Sequence, residues 1–196
     1  MRKFALAIVG AAVACSAARA GTYIPVPMVP GAVSEIAFSI NNHNVVAGSY
    51  RDSANVEHGF FGPLDGSNWI TFDAPFDGTT GTEPRYIGDD GAITGIALNP
   101  KFKVGEEFYR SPSGRFKIFK GLDGRKLDGI AQGLAKKDRS VGDYISTEGK
   151  AIGYLGQKGK YLEDFRLHLN GNKKQRQQIS PRGRTDSNYV VVGFCV

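Results

Sequence analysis

One stretch of this chain returns at a fixed interval. Ile40-Asn41-Asn42-His43-Asn44-Val45-Val46-Ala47-Gly48 leads from an apolar residue through a polar turn into a short apolar run that closes on glycine. Ile87 to Gly95 copies it, Leu134 to Gly142 is a weaker copy, and Ile179 to Gly193 is a fourth with a longer turn. The closing glycines 48, 95, 142 and 193 are 47, 47 and 51 residues apart, and the opening residues 40, 87, 134 and 179 are 47, 47 and 45 apart. A period of this size is the signature of a repeat architecture, in which each unit buries its apolar face on its neighbour.

Short runs of Val, Ile, Thr, Tyr and Phe, punctuated by 26 glycines and by Asn/Asp clusters, predict strands almost everywhere. The expected fold is all-β, built from short antiparallel four-stranded repeats of about 47 residues. The first repeat places strands at Glu35–Ile40, Val45–Tyr50, His58–Phe61 and Trp69–Phe72. The second places them at Arg85–Ile87, Ala92–Ala97, Glu107–Arg110 and Arg115–Phe119, with Ser113-Gly114 as a hairpin turn. The third places them at Gly129–Leu134, Ser140–Ile145, Ala151–Leu155 and Tyr161–Phe165, with Gln157-Lys158-Gly159 as the matching turn. The fourth stops after two strands, at Val190–Cys195. Tyr23-Ile24-Pro25-Val26 reads as a fourth-type strand ahead of the first repeat. Repeat boundaries fall near 35–80, 81–127, 128–174 and a partial 175–196.

A glycine inside a strand marks a bulge or the close approach of another backbone. Its recurrence at 48, 95 and 142 points to crowding between neighbouring repeats at that place. Phe60, Phe72, Phe108, Phe119, Tyr154 and Phe165 recur near the third and fourth strands and are the candidates for packing between repeats.

The chain ends carry different information. Arg2 and Lys3, the apolar run Phe4–Ala14 and the small-x-small site Ala18-Arg19-Ala20 read as a bacterial-type export signal over residues 1–20. A second processing route is open: Ala12-Val13-Ala14-Cys15 resembles a weak lipobox, which would anchor the chain by a lipid on Cys15. The mature protein is then one domain, 21–196, periplasmic or secreted, with no other segment apolar and long enough to span a membrane as a helix. Cys195 would be its only cysteine, so stability must come from the core and the backbone hydrogen bonds.

Charge is divided unevenly. Residues 21–98 hold two bases and nine acids, a net −7, whereas residues 99–196 hold twenty bases and ten acids, a net +10. Such a dipolar chain favours self-association or a polyanionic partner. The bare strand edges at the two ends, one rich in valine and the other blunted by Pro25, Pro27 and Pro30, add self-association through the terminal strands as an expectation.

The first repeat resembles the bacterial exported HAF-repeat proteins. Ile40-Asn41, Val45-Val46-Ala47-Gly48-Ser49-Tyr50, His58-Gly59-Phe60 and Phe72-Asp73-Ala74-Pro75 match their unit, with Asn44 where a turn glycine is usual. The second repeat keeps Gly91, Gly95 and Phe108, and the third keeps Gly142, Tyr144 and Gly153-Tyr154. The resemblance implies a propeller-like fold, closed or open, with one four-stranded blade per repeat. It implies no catalytic residues.

The candidate site residues are basic. Lys136, Lys137 and Arg139 lie in the turn of the third repeat, and Lys173, Lys174 and Arg176 in a polar loop before the fourth. If repeats stack, these turns share a rim that suits an acidic polysaccharide, a lipopolysaccharide headgroup or, last in order for an exported protein, nucleic acid. His43, His58 and His168 have no metal-ligand spacing, and Asp89-Asp90-Gly91 lacks the alternating acids of a calcium loop, so it reads as an Asx turn. No phosphate loop, dinucleotide fingerprint or nucleophile elbow is present in the sequence, and no cofactor is expected. Two function classes remain: a non-enzymatic exported repeat protein that binds a cell-envelope or extracellular partner, and an extracellular polysaccharide hydrolase with a carboxylate site on one face. A cluster of acids in a pocket would favour the second, and a surface of Lys and Arg the first.

Overall fold

The structure, a computed structural model, describes residues 24–121, 124–165, 179–181 and 193–195. Three antiparallel meanders follow one another. The first is β1 (Ser34–Ile40), β2 (Val45–Arg51), β3 (Glu57–Pro63) and β4 (Ile70–Phe72). The second is β5 (Gly81–Ile87), β6 (Ile93–Leu98), β7 (Glu106–Arg110) and β8 (Phe116–Ile118). The third is β9 (Gly129–Ala135), β10 (Arg139–Ile145), β11 (Ala151–Gln157) and β12 (Lys160–Phe165). A single parallel pairing, Glu57 opposite Gly81, joins the first two meanders into one sheet. Two short strands, β13 (Ile179–Pro181) and β14 (Gly193–Cys195), pair with each other, and β13 packs on β9, β10 and β11. Among the described residues there is no α-helix, only a 3-10 turn at Lys136–Asp138.

The turns between the first and second strands are made by side chains bonding their own backbone. Asn41 Oδ1 accepts the N–H groups of His43 and Val45 at 2.9 and 3.0 Å, and Asn44 takes the left-handed conformation with φ 56°. In the second meander Asp90 Oδ1 accepts the Ala92 N–H at 3.1 Å and Gly91 supplies the positive φ. The third turn puts Lys137 and Asp138 in the left-handed region, at φ 62° and 53°.

Gly48, Gly95 and Gly142 stand in the second strand of each meander, and the reason for each is the same. A Cβ there would overlap the carbonyl oxygen of Ile36, Glu83 or Ile130 on the first strand. It would also lie 2.8 Å from the Phe60 ring, 2.8 Å from that of Phe108 or 2.6 Å from that of Tyr154. Each aromatic is the direct cross-strand partner of its glycine. The carbonyl intrudes because the first strand bulges beside the residue opposite the glycine: the pairing skips Phe38, Arg85 and Gln132. The crowding expected between neighbouring repeats therefore arises within each sheet, from its own bulged strand and its own aromatic.

The strands β2, β3, β6 and β7 are covered on both faces, so neighbouring residues on one strand serve different cores. Val46 and Phe60 pack with Val26, Val29, Ala32, Leu64 and Trp69, whereas Ala47 and Phe61 pack with Ile87, Ile93, Phe108 and Phe116 of the second meander. Ala92, Tyr109 and Phe119 in turn pack with Leu134 and Tyr154 of the third. Aromatic pairs bridge these layers, Phe72 with Phe108 at 6.4 Å between centroids and Phe119 with Tyr154 at 5.8 Å. Phe60, Phe108 and Phe119 are fully buried, each worth about 1.5–3 kcal/mol of apolar burial. The side chain of Phe165 lies outside the described residues.

Residues 24–29 are not a strand, contrary to expectation. Pro25 and Pro27 have no N–H to give a ladder. The segment still covers the near face of the first meander through Val26 and Val29, and the β3–β4 loop rests on it, with Gly66 packed on the Pro27 ring.

An ionisable pair lies between the second and third meanders. Glu107 and Tyr154 are fully buried, and Tyr154 Oη donates to Glu107 Oε1. Burial pushes the Glu107 carboxyl well above its ordinary range, against the opposing effect of the tyrosine bond.

Two outcomes are expected. Gly95→Val should destabilise the protein by about 1–3 kcal/mol through overpacking, read as a lower denaturant midpoint; coincident midpoints would remove the role given to the bulge. For Glu107 the folded-state pKa is raised, so the neutral carboxyl stabilises the fold below the ordinary value of 4.5 and this contribution is lost as pH rises toward and through the folded value. Glu107→Gln should therefore flatten the decline of melting temperature with rising pH above about 4.5. Parallel curves for variant and wild type would show that another group titrates.

Candidate functional site

The first-to-second-strand turns of the three meanders meet along one rim. Asn41 Nδ2–H donates to Gly88 O at 2.9 Å, while Asn42 donates from its backbone N and its Nδ2 to Asp89 Oδ1 and Oδ2 at 3.0 and 2.9 Å. Donor and acceptor residues are 47 apart in each case. The next pair of turns is joined by carboxyls: the Asp90 and Asp138 side chains share a hydrogen bond, and Tyr109 Oη donates to Asp138 Oδ2 at 3.0 Å. Burial, then the Asp90 carboxyl beside it, raises the Asp138 carboxyl above its ordinary range. Burial likewise raises the Tyr109 hydroxyl. Lys158 Nζ approaches Asp138 Oδ2 at 3.8 Å.

The expected basic patch falls partly on this rim. Lys136 and Lys137 form the 3-10 turn, with Lys137 exposed, and Arg139 opens β10 half-buried. Lys173, Lys174 and Arg176 lie outside the described residues. The rim does not continue as a basic surface, because its other two turns carry Asn41, Asn42 and Asn44 and then Asp89 and Asp90. His43 is exposed at the first turn. His58 is a tie: Nδ1 lies 2.8 Å from Asp73 Oδ1 and Nε2 3.4 Å from Asp52 Oδ2. His168 lies outside the described residues.

A different basic site is built where the third meander overlies the outer strand of the second. Phe116 of β8 turns into the core with Phe72 and Phe108, so the next residue, Lys117, projects from the opposite face. The β11–β12 hairpin turns through Lys158 and Gly159, at φ 51° and 72°, the pair of positive values that suits a tight hairpin. It sets Gly159 against the Lys117 and Tyr109 side chains, where a Cβ would come within 2.9 and 3.2 Å.

Two open cavities flank this contact. One, about 500 Å³, is lined by Lys117, Ile118, Lys120, Gly159 and Lys160. The other, about 420 Å³, runs past Arg115, Lys117, Ser111, Ser113 and Lys158 to the Asp90–Asp138 pair. Lys117 belongs to both. Five exposed cations thus face one groove: Arg115, Lys117, Lys120, Lys158 and Lys160. Among the described residues no ion pair joins Lys117, Lys120 or Lys160 to an acid. Among the described residues the only carboxylates lining the groove, Asp90 and Asp138, stand together at one end of it.

The sequence carried a weak signal for this groove. Arg115-Phe116-Lys117 and Lys158-Gly159-Lys160 both place cations two apart, on one face of a strand or across a hairpin. Runs of adjacent lysines in turns are the more conspicuous feature, and they pointed to the rim instead. Asp90 and Asp138 are in hydrogen-bond contact, which does not match the separation of about 5 to 9.5 Å between paired carboxyls in glycoside hydrolysis. Their arrangement with Tyr109 fits a latch between two turns. No protein family, curated protein or solved structure matches the chain.

Proposed function

We propose that this chain is an exported, non-enzymatic repeat protein that binds a polyanionic partner of the cell envelope or the extracellular space. The observation that carries this reading is the groove of Arg115, Lys117, Lys120, Lys158 and Lys160, in which four of the five cations have no acidic partner among the described residues and only Lys158 approaches a carboxylate, that of Asp138. Cations lining one groove raise the local potential, and a linear polyanion relieves their mutual repulsion. An open groove of this kind takes a chain rather than a small enclosed ligand.

The export part rests on residues 1–20, where Arg2, Lys3, the apolar run and Ala18-Arg19-Ala20 make the signal pattern. The repeat part rests on the meanders, on hydrogen bonds between residues 47 apart and on the common environment of Gly48, Gly95 and Gly142. Packing of successive four-stranded meanders on one another supports a propeller-like arrangement and the likeness to HAF-repeat proteins.

Heparin, a linear sulfated polysaccharide, is the probe. Replacing Lys117, Lys120, Lys158 and Lys160 by Gln should lower the salt concentration at which the protein leaves a heparin column, because contacts of this kind are screened within about 8 Å at physiological ionic strength. Replacing Lys136, Lys137, Lys173, Lys174 and Arg176 should have the smaller effect. The reverse order would move the site to the rim. Retention unchanged in both sets would end the polyanion reading.

A further inference from the structure

We infer that Lys126 and Asn99 become joined by an isopeptide bond, formed on the Glu106 carboxyl with loss of ammonia. A bond of this kind needs an amine, a carboxamide and a carboxyl that carries protons between them. The second meander brings one of each together. Lys126 Nζ donates to Glu106 Oε2 at 2.7 Å, and Asn99 Nδ2 donates to Glu106 Oε1 at 2.8 Å. Glu106 opens β7 and is 1% exposed, and Asn99 follows β6 and is 6% exposed. Lys126 belongs to the segment that leads into the third meander, and its chain reaches this buried carboxyl from the surface.

The carboxamide is held at both ends. Nδ2 also donates to Asp77 O at 3.2 Å, and Oδ1 accepts the Lys101 N–H at 3.1 Å. The loop that follows Asn99 is fastened to the lysine's own segment. Asp128 accepts the N–H groups of Lys103, Val104 and Gly105 at 2.8, 2.7 and 3.2 Å, and Glu106 and Asp128 form a backbone bridge. Amine and carboxamide therefore sit on neighbouring oxygens of one carboxyl, with the backbone under each fixed to the other. Attack needs contact of about 3–3.5 Å between the reacting atoms, and positioning of this kind turns a slow encounter into an intramolecular step.

The chemistry balances without an oxidant or a cofactor. The Lys126 ammonium passes one proton to Glu106 Oε2, which leaves a neutral amine with a free electron pair. That pair forms the bond from Nζ to Asn99 Cγ, and the carbonyl π electrons move onto Oδ1, where the Lys101 N–H meets the developing charge. Glu106 delivers its proton to Nδ2 through Oε1 and takes one from Nζ. The Cγ–Nδ2 bond then breaks with its electron pair, the carbonyl re-forms and ammonia leaves. The product is a secondary amide between the two side chains, and nothing is oxidised or reduced. It closes the chain from Asn99 to Lys126 around β7 and β8, and restricts the unfolded state as a disulfide would, with no cysteine involved.

Intact-mass spectrometry of the full chain purified from cells, followed by fragmentation of its tryptic peptides, reads the bond directly. The expected mass is lower by one ammonia than the sequence of the purified species requires, with a branched peptide joining Asn99 to Lys126. Lys126→Arg keeps the positive charge but has no primary amine, so it should recover the full mass and melt at a lower temperature than wild type. Asn99→Ala and Glu106→Gln should recover the full mass as well, the first by removing the carboxamide and the second by removing the proton carrier. A wild-type protein at full mass, both when fresh and after prolonged incubation, overturns the inference. An ammonia loss that persists in Lys126→Arg also overturns it, because it would then come from a succinimide at some other asparagine. Neither readout involves heparin, so this inference and the polyanion reading stand or fall separately.

Discussion

In the second strand of each meander, the place where a side chain would stand is occupied by a peptide carbonyl from the first strand. The bulges that skip Phe38, Arg85 and Gln132 push that carbonyl inward, and only glycine at 48, 95 and 142 leaves it room. The aromatic directly opposite then folds over the bare backbone and fills the space a side chain would have filled. Bulge, glycine and aromatic depend on one another, because removing any one leaves either an overlap or a void. The bulged residues are used as well: the Arg85 guanidinium lies over the Phe38 ring at 4.2 Å, carrying one bulge onto the next.

Two-sided burial is the second constraint. A sheet covered on both faces cannot alternate apolar with polar, and its strands read as near-continuous buried runs. In β6 and β7 nine of eleven positions are buried. Several of the polar groups caught inside are bonded in specific ways. Thr82 Oγ1 accepts the Ala74 N–H at 2.9 Å, Glu57 accepts from Ser49 and Arg51, and Glu106 accepts from Asn99 and Lys126. Satisfied in this way, they fix which sheet face lies against which.

The strand positions were legible because hydrophobic runs, turn residues and a fixed period agreed over some 130 residues; the strands at Val45, Ile93 and Ala151 begin within one residue of where the pattern places them. Two things were not legible. The source of the crowding at the glycines needs the bulge, and a bulge is a register property of two strands that no single strand announces. The groove joins β8 to a hairpin some 40 residues later, and neither stretch is unusual by itself. Lys136-Lys137 drew attention because adjacent charges are visible in one dimension, yet the turns beside them in space carry Asn41, Asn42, Asp89 and Asp90. The N-terminal segment was read as a fourth-type strand; it instead packs on the first meander without strand hydrogen bonds, since the apolar pattern of Val26 and Val29 survives two prolines and the ladder does not.

What differs between the layers is the contact made by the third-to-fourth-strand turn. In the first meander Gly66 lies on the Pro27 ring of the preceding segment. In the second, Gly114 lies near Arg110, which is itself stacked over Phe61, Phe72 and Phe116. In the third, Gly159 lies on Lys117. A glycine with positive φ lets the turn approach closely in each case, so the neighbouring side chain decides the chemistry. Proline and a half-buried arginine stacked on phenylalanines make closed apolar contacts there. A lysine, with its apolar stem under the glycine and its ammonium left in water, makes an open one. Lys120, Lys158 and Lys160 then extend the charge on both sides of that stem. The basic groove is thus a local variation on a packing contact that the chain uses elsewhere only for stability, which is why it occurs at a single boundary among the described residues.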